Sequence, residues 1–308
     1  AGSAIILKAI AGGGGRGMRV VRDSATLADA FTRCRSEAEA ACGRGDLYVE
    51  RYLPRARHVE VQIVGDGTGA VGHLGERECS LQRRHQKLVE IAPSPSLTPA
   101  LRGRVIAAAL RMAEAVRYES LGTFEFLVDP AAGPEGEFFF LEANPRLQVE
   151  HTVTEAVTGV DLVATQLRLA AGASLAELGL GPGRTPEPRG YAIQLRVNME
   201  TMGADGDVKP GGGTLTAFEP PSGPGVRVDT FGYAGYTTSP RFDSLLAKIV
   251  VHASSGGFPA VAARAYRALC ECRIEGVPTN LGFLQALLRH PAVAANDVLQ
   301  ACPVKAVA

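Results

Sequence analysis

The stretch that most constrains this chain is Phe138 to Glu155, FFFLEANPRLQVEHTVTE. Counted by twos, Glu142, Asn144, Arg146, Gln148 and Glu150 share one parity, and Leu141, Ala143, Pro145, Leu147 and Val149 share the other. Alternate side chains of an extended segment point to opposite faces, so one face is expected to pack and the other to present a row of polar groups. The phenylalanines in front predict a buried strand, and Asn144-Pro145 marks where regular structure ends. A carboxylate and an amide oxygen two residues apart, Glu142 and Asn144, can reach one hard divalent cation, and Mg²⁺ takes a few protein oxygens and leaves the rest to substrate phosphates. Arg146 offers a planar fork for an oxyanion. Glu150 is a further carboxylate, available as a base. The competing reading is a solvated strand face followed by a charged turn.

With 308 residues, 46% of them hydrophobic, the chain can bury a sizeable core in roughly two domains. Its 32 basic and 32 acidic residues balance, which gives no electrostatic footprint for nucleic acid. The most apolar stretch, Val105 to Val116, is broken by Arg111 and Glu114, so no spanning segment is expected. Six cysteines without a CxxC pair, Cys34, Cys42, Cys79, Cys270, Cys272 and Cys302, read as reduced thiols of a soluble, cytoplasmic protein. The scattered histidines argue against structural zinc. The chain opens on Ala1-Gly2-Ser3 without an initiator Met and is read as a piece of something longer.

The spacing predicts a strand over Ala4 to Ile10, a glycine loop from Gly12 to Gly17, and a second strand over Met18 to Val21. Such a loop can lay its amides over polyphosphate with Lys8 adding a point charge, or it is a linker. A helix follows over Ser24 to Cys42 with Leu27, Ala30, Phe31 and Cys34 as its stripe, then a strand over Tyr48 to Leu53. Arg57 to Val64 alternates as a half-buried strand, with His58, Glu60 and Gln62 on its polar side, and a turn leads to a strand ending near Leu74. Glu76 to Glu90 is the most charged passage, read as a solvated face, although Gln82, His85 and Lys87 together suit an anionic ligand.

A helix is predicted over Thr98 to Tyr118, with Leu101, Val105, Ala108, Met112 and Val116 apolar. The strand Gly122 to Val128 carries Glu125 between two phenylalanines, where a bare carboxylate would cost several kcal/mol, and a hairpin can set it opposite Glu142. A helix over Val160 to Ala171 and a Gly/Pro-rich passage to Pro188 precede strands at Tyr191 to Asn198, Gly213 to Phe218, Val226 to Thr230 and Leu245 to Val251. Helices at Pro259 to Cys272 and Asn280 to His290 follow. Arg196 either points into a cleft or is an ordinary edge charge.

In this order and spacing, GGGGRGMRVV, HVEVQ, ERECSLQRRHQK, FEF, LEANPRLQVEH and EGVPTN resemble the biotin carboxylase component of biotin-dependent carboxylases, a branch of the ATP-grasp ligases, over nearly the whole chain. The resemblance implies an α+β fold: an ATP-grasp lid over residues 1–52, a central subdomain over 53–188 and a biotin carboxylase C-terminal subdomain over 189–308. It implies ATP contacts from Lys8, Gly13, Gly14, Gly15, Gly17, Glu50, Arg51, Leu53, His58, Gln82 and His85. Magnesium or manganese ligands are implied at Glu125, Glu142 and Asn144, and a bicarbonate pocket at Lys87, Arg146, Gln148, Val149 and Glu150. Glu150 is implied as the base, and Arg196 as the residue that steadies the biotin enolate.

The activity implied is ATP- and bicarbonate-dependent carboxylation of biotin on a carrier through carboxyphosphate. The implied partners are a biotin carboxyl carrier domain and a carboxyltransferase, in a homo-oligomer or a multidomain chain, with neither nucleic acid nor membrane. The family carries a further nucleotide-fold domain in front of Gly2, so this chain alone is expected to be inactive. Arg51 at a position often occupied by lysine, VNMETMGADGD after Arg196, and Arg241-Phe242 depart from the usual residues. A carbamoyl-phosphate-forming ATP-grasp ligase and a non-catalytic assembly module are the alternatives; QRRHQK and Arg196 speak against the first.

Overall fold

The computed structural model of the protein describes residues 4–11, 17–54, 56–83, 86–129, 132, 135–181, 183–203 and 207–298. The chain divides into two compact units, residues 1–56 with 82–86, and residues 57–81 with 87–308.

In the first unit, β1 (Ile5–Ala9), β2 (Met18–Val21), α1 (Leu27–Cys42) and β3 (Leu47–Arg51) follow in order, and the strands form an antiparallel sheet in the order β2-β1-β3. Leu7, Val21 and Cys34 make its small core. Helix α1 begins after a 3₁₀ turn whose Ala25 amide is capped by Asp23, and ends at Gly43, which takes the left-handed conformation that L side chains resist. Its packed residues are Cys34 and Ala38; Leu27 and Phe31, expected in the stripe, are exposed. The small sheet covers only one narrow line of the helix.

The second unit contains β4 (Arg57–Asp66), β5 (Val71–Arg83) as far as Leu81, β6 (Gln86–Ala92) from Lys87, α2 (Pro99–Ala115), β7 (Glu119–Asp129), β8 (Glu137–Asn144), α3 (His151–Thr158), α4 (Leu162–Ala170) and β9 (Tyr191–Asn198). Short strands β10 (Glu200–Met202), β11 (Val208–Pro210), β12 (Gly213–Thr214) and β13 (Ala217–Glu219) follow, then β14 (Val226–Thr230), β15 (Thr237–Thr238), β16 (Leu245–Ala253), α5 (Gly257–Glu271), β17 (Arg273–Glu275), α6 (Leu281–Arg289) and α7 (Pro291–Ala294). One eight-stranded sheet, ordered β14-β16-β9-β6-β5-β4-β7-β8, runs through them and joins strands from both sides of residue 189. Helix α2, started by Thr98 with Pro99 in its first turn, buries Leu101, Val105, Ala109 and Ala113 against Val59, Val61, Phe124 and Phe126. At the other end, α5 and α6 cover Ile193, Leu195, Ile249 and Val251. Among the described residues no helix is long and apolar enough to cross a membrane.

Several expectations are corrected. The charged passage from Glu76 is not a solvated face: it continues β5 through Arg83, and Glu76, Arg77, Glu78 and Ser80 are buried, because the strand lies inside the sheet with neighbours on both sides. Arg57 to Val64 is buried on both faces rather than half-buried. Phe139 and Phe140 are exposed rather than buried, because β8 is the sheet's edge. Val116 lies beyond the end of α2 and is exposed. The predicted strand from Gly213 to Phe218 divides into β12 and β13, and α3 was not foreseen.

Candidate functional site

The register of four strands builds the site. Arg77 of β5 pairs across from Glu60 of β4, Glu60 from Glu125 of β7, and Glu125 from Glu142 of β8. Carboxylates set opposite one another repel, and buried ones are costly without partners, so this row requires interleaved cations. Lys87 supplies one: its Nζ lies 2.5 Å from Glu60 Oε2, 3.1 Å from Glu125 Oε1 and 2.5 Å from Glu150 Oε1. Arg77, wholly buried, supplies the other. It holds Glu60 Oε1 at 2.5 Å and donates to Gln62 Oε1 at 2.8 Å, Thr154 Oγ1 at 2.9 Å and Thr123 Oγ1 at 3.2 Å. Burial works against the Lys87 charge, but the carboxylates around it, Glu60 foremost, prevail and leave its pKa well above the ordinary lysine value. Burial likewise works against Glu60, and Lys87 and Arg77 outweigh it to hold the carboxyl below its ordinary value.

Glu125 is the most heavily engaged carboxylate. His58 Nε2 lies 2.7 Å from its Oε2, while Asn144 Nδ2 and Gln148 Nε2 donate to Oε1 at 3.0 and 3.1 Å. Burial pushes its pKa up, but His58, Lys87 and Gln148 together bring it down to about 2. Asn144 Nδ2 also reaches Glu142 Oε1 at 3.1 Å, so Glu125, Glu142 and Asn144 form one oxygen-rich group. That donor set fits Mg²⁺ or Mn²⁺: two carboxylates, with an amide whose Oδ1 would face the ion if the group turned over. A second, fully buried grouping of possible ligands, His58, Glu60 and Glu125, lies beside it, with Lys87 paired to both of its carboxylates.

Glu150 is held from its other side as well. Arg196 Nη2 lies 3.0 Å from Glu150 Oε2, and Arg196 in turn grips Glu90. Burial pulls the Arg196 pKa down, but Glu90 and Glu150 raise it overall. Gln148, buried beside Glu125, keeps its Oε1 without a partner among the described residues.

The structure therefore brings Lys87, Glu125, Glu142, Asn144, Gln148, Glu150, Arg196 and His58 together. The expected extended row stops at Asn144, whose carbonyl accepts the Arg146 amide at 2.9 Å in a turn. Beyond the turn, Gln148 and Glu150 rejoin the cluster at the entry to α3, while Arg146 is exposed and its guanidinium makes one long bond, 3.4 Å, to Leu147 O. Val149 contributes its carbonyl, which accepts from Lys248 Nζ at 3.2 Å. In the first unit Lys8 pairs with Glu50 at 2.5 Å, Arg51 ends β3 and Leu53 follows it. Gly17 closes the β1–β2 turn at φ +68°, where a Cβ would come within 2.9 Å of Ala9 Cβ. Gln82 is buried near the end of β5. Gly13, Gly14, Gly15 and His85 lie outside the described residues.

Sequence reading missed the roles of Arg77 and Glu90 and of the Gln194 amide. The signal was present: Glu60 and Gln62 alternate with valines, as Gln194 and Arg196 alternate with apolar neighbours, but alternation alone does not separate a solvated face from a buried polar one.

The chain is similar to known proteins along most of its length. A family model described as "Carbamoyl-phosphate synthase L chain, ATP binding domain" matches residues 1–178, and "Biotin carboxylase C-terminal domain" matches residues 194–301. A pyruvate carboxylase of Aspergillus niger is 48% identical over 291 residues, 94% of this chain and 24% of that protein. The structure of a Campylobacter jejuni biotin carboxylase, solved as a complex with β,γ-ATP, superposes with a TM-score of 0.89 at 39% identity, over 97% of this chain and 64% of that one. The biotin carboxylase domain of the Hydrogenobacter thermophilus 2-oxoglutarate carboxylase, solved with MgADP, ADP and bicarbonate, gives 0.87 at 39% identity, over 97% of this chain and 63% of that one. The fold is thus that of the α+β ATP-grasp domains of biotin carboxylases. The chain belongs to the family of ATP-binding domains that the first model describes and, with the C-terminal domain behind it, to its biotin carboxylase members. It spans about a quarter of the pyruvate carboxylase, and under two thirds of each of these solved chains.

Proposed function

We propose that the protein carrying this chain is an ATP-dependent ligase that carboxylates biotin with bicarbonate. The observation that carries this reading is Glu150, fixed between Lys87 and Arg196 beside the oxygens of Glu125, Glu142 and Asn144. Mg²⁺, or Mn²⁺, held by those three residues would offset phosphate charge. Arg146, exposed and lightly bonded, offers its fork to bicarbonate, Lys87 steadies the anion, and Gln148 and Val149 complete the pocket, which leaves the bicarbonate hydroxyl to Glu150.

Glu150 takes the bicarbonate proton as a bicarbonate oxygen attacks the γ-phosphorus of ATP and ADP departs. The carboxyphosphate formed breaks into CO₂ and phosphate; the phosphate takes the proton of a biotin ureido nitrogen, and that nitrogen takes up the CO₂ with Arg196 facing the enolate. Likeness to the solved ATP and ADP complexes supports nucleotide contacts from Lys8, the 13–17 glycines, Glu50, Arg51, Leu53, His58, Gln82 and His85. The family matches, ending at 178 and resuming at 194, support a central subdomain ending near 188, and the compact unit that holds residues 1–56 supports a lid over 1–52. The single-chain, multidomain build of a long-chain acyl-CoA carboxylase similar to this chain supports a biotin carrier domain and a carboxyltransferase as partners; the cytoplasm is read as its place, and residues 1–308 by themselves are expected to be inactive.

The test uses the full-length polypeptide that carries this chain. Glu150→Gln is expected to abolish bicarbonate-dependent phosphate release from ATP with Mg²⁺ while leaving nucleotide affinity within about two-fold. Turnover at the wild-type rate would falsify the assignment of Glu150 as base.

A further inference from the structure

His151 opens α3, half-buried, directly after Glu150, and the chemistry above gives it no task. Its Nδ1 lies 2.7 Å from the Gln148 carbonyl oxygen, which can only accept, so this ring nitrogen carries a proton and donates it. Its Nε2 lies 3.8 Å from Glu155 Oε1, and the other oxygen of Glu155 accepts from Arg227 Nη1 at 2.8 Å. Arg227 lays Nε and Nη2 on the two oxygens of Asp229, at 2.7 and 3.1 Å, and Asp229 pairs with Lys248 at 3.1 Å. Lys248 returns to the turn by donating to the Val149 carbonyl at 3.2 Å. The contacts form a ring that begins and ends on adjacent carbonyls of the turn that holds Glu150.

A trans peptide sets its C=O and its N–H on opposite edges, and the only cis bond among the described residues is Ala92-Pro93. Holding the Gln148 carbonyl toward α3 therefore turns the Val149 N–H away from that helix. This N–H makes no hydrogen bond among the described residues, and it lies between two side chains that enter the cluster, Gln148 at Glu125 and Glu150 at Lys87. We propose that His151 is a positioning residue: by fixing the Gln148 carbonyl it aims the Val149 N–H at the bicarbonate anion. This rests on the biotin-carboxylating reading of the site. A donor aimed in advance needs no rearrangement when the anion arrives. Without the Nδ1 proton the Gln148 carbonyl keeps only the His151 amide, at 3.2 Å, and the peptide is free to rock. The start of α3 does not depend on His151 alone. The Thr152 hydroxyl donates to Gln194 Oε1, Gln194 Nε2 donates to Glu90 Oε2 at 3.0 Å, and Arg77 Nη1 donates to Thr154 Oγ1 at 2.9 Å. Loss of the imidazole is thus expected to loosen one peptide rather than melt the helix.

The experiment uses the full-length polypeptide with free biotin, varies bicarbonate and ATP in turn, and reads phosphate release. An asparagine amide nitrogen falls where Nδ1 does and a glutamine amide nitrogen where Nε2 does, so the two variants separate the hydrogen bond from the bulk of the ring. His151→Gln is expected to lower kcat/KM for bicarbonate about ten-fold with the KM for ATP within about two-fold, the scale of one hydrogen bond to a charged acceptor. His151→Asn is expected to restore kcat/KM for bicarbonate to within about three-fold of wild type. Equal losses in the two variants, no loss in His151→Gln, or a parallel rise in the KM for ATP overturns the proposal. Should His151→Gln fail to give a cooperative melt, Lys248→Met, which releases the neighbouring carbonyl, is read on the same two substrates: a loss confined to bicarbonate supports the proposal, and an equal loss on both, or none, overturns it. Wild-type protein whose phosphate release ignores bicarbonate sinks the functional reading and His151's role with it; bicarbonate-dependent wild type with the two variants alike sinks His151's role alone.

Discussion

The two faces of the central sheet both bury charge, and they do so differently. On the face toward α2, Glu76 and Glu78 are enclosed at the margin of an apolar layer of Val59, Val61, Phe124 and Phe126. Glu78 accepts from the hydroxyls of Ser80, Ser94 and Ser96, and Glu76 accepts from the Ser94 amide at 3.1 Å and Arg102 Nε at 2.7 Å. Glu78 also lies 3.5 Å from the buried Arg57 Nη1, and Ser94 serves both carboxylates, so each is closed by donors that fit around it. On the other face Glu60, Glu125 and Glu150 share Lys87, and the cluster ends in groups with capacity to spare: Gln148 Oε1, the Arg146 fork and Arg196 Nη1. Buried charge by itself does not mark a site. Charge that is shared and left incomplete at one edge does.

The largest effect that would break this comparison is Arg77→Met. Arg77 holds Glu60, Gln62, Thr123 and Thr154 at once, so its loss strands a buried carboxylate and three polar groups. The expected cost is about 3–5 kcal/mol in urea unfolding of the full-length protein. A loss under 1 kcal/mol on the order of a surface pair would mean that Lys87 alone carries the face and that the carboxylates are less interdependent than their geometry requires.

Acid should come next. The Glu125 carboxyl is held down to about 2 against an ordinary value of 4.5. Above pH 4.5 its folded-state partners contribute their full stabilisation; as pH falls from there toward 2 the unfolded chain takes up a proton that the folded one refuses, and the contribution is lost. The amount is on the order of 3 kcal/mol. Glu125→Gln should flatten this part of the stability-against-pH curve, and an unchanged slope in that window would remove Glu125 from the account. On the opposite face Glu78→Gln is expected to cost less, about 1–2 kcal/mol, because its serine partners can turn their hydroxyls to suit an amide, and Arg57, whose contact with Glu78 is long at 3.5 Å, keeps its bond to the Asn296 carbonyl.

Much of this difference was legible in the residues and part of it was not. The Glu125 and Glu142 pairing followed from a hairpin between two strands, and the gathering of Glu142, Asn144, Gln148 and Glu150 from one parity. The continuation of that row as a strand did not survive, because Asn144 and Arg146 close a turn and α3 begins at His151. Arg77 and Glu90 were invisible as partners, since a run of charges reads as solvated unless the strand carrying it is known to lie between two others. Which polar face is wet depends on sheet order, and sheet order is a property of distant segments: β6 lies beside β9 although about a hundred residues part them. Phe139 and Phe140 misled for the same reason in reverse, as aromatics on a strand that proved to be an edge.

The smallest effect concerns thiols, and it sharpens the comparison without touching a charge. Cys79 lies on the ionic face within reach of Glu60 and Glu150, wholly buried, whereas Cys42 and Cys270 are exposed. Burial first, and then the neighbouring Glu60, push its pKa well above the ordinary thiol value. The thiolate that attacks a disulfide reagent is therefore scarce at Cys79 even where the reagent can enter. Labelling at pH 8, mapped cysteine by cysteine by mass spectrometry, is expected to modify Cys42 and Cys270 at once and Cys79 only as fast as the sheet opens. Cys79 reacting alongside Cys42 would show water and reagent passing freely among Lys87, Glu60 and Glu150, and a face that open could not hold its carboxylates by shared cations.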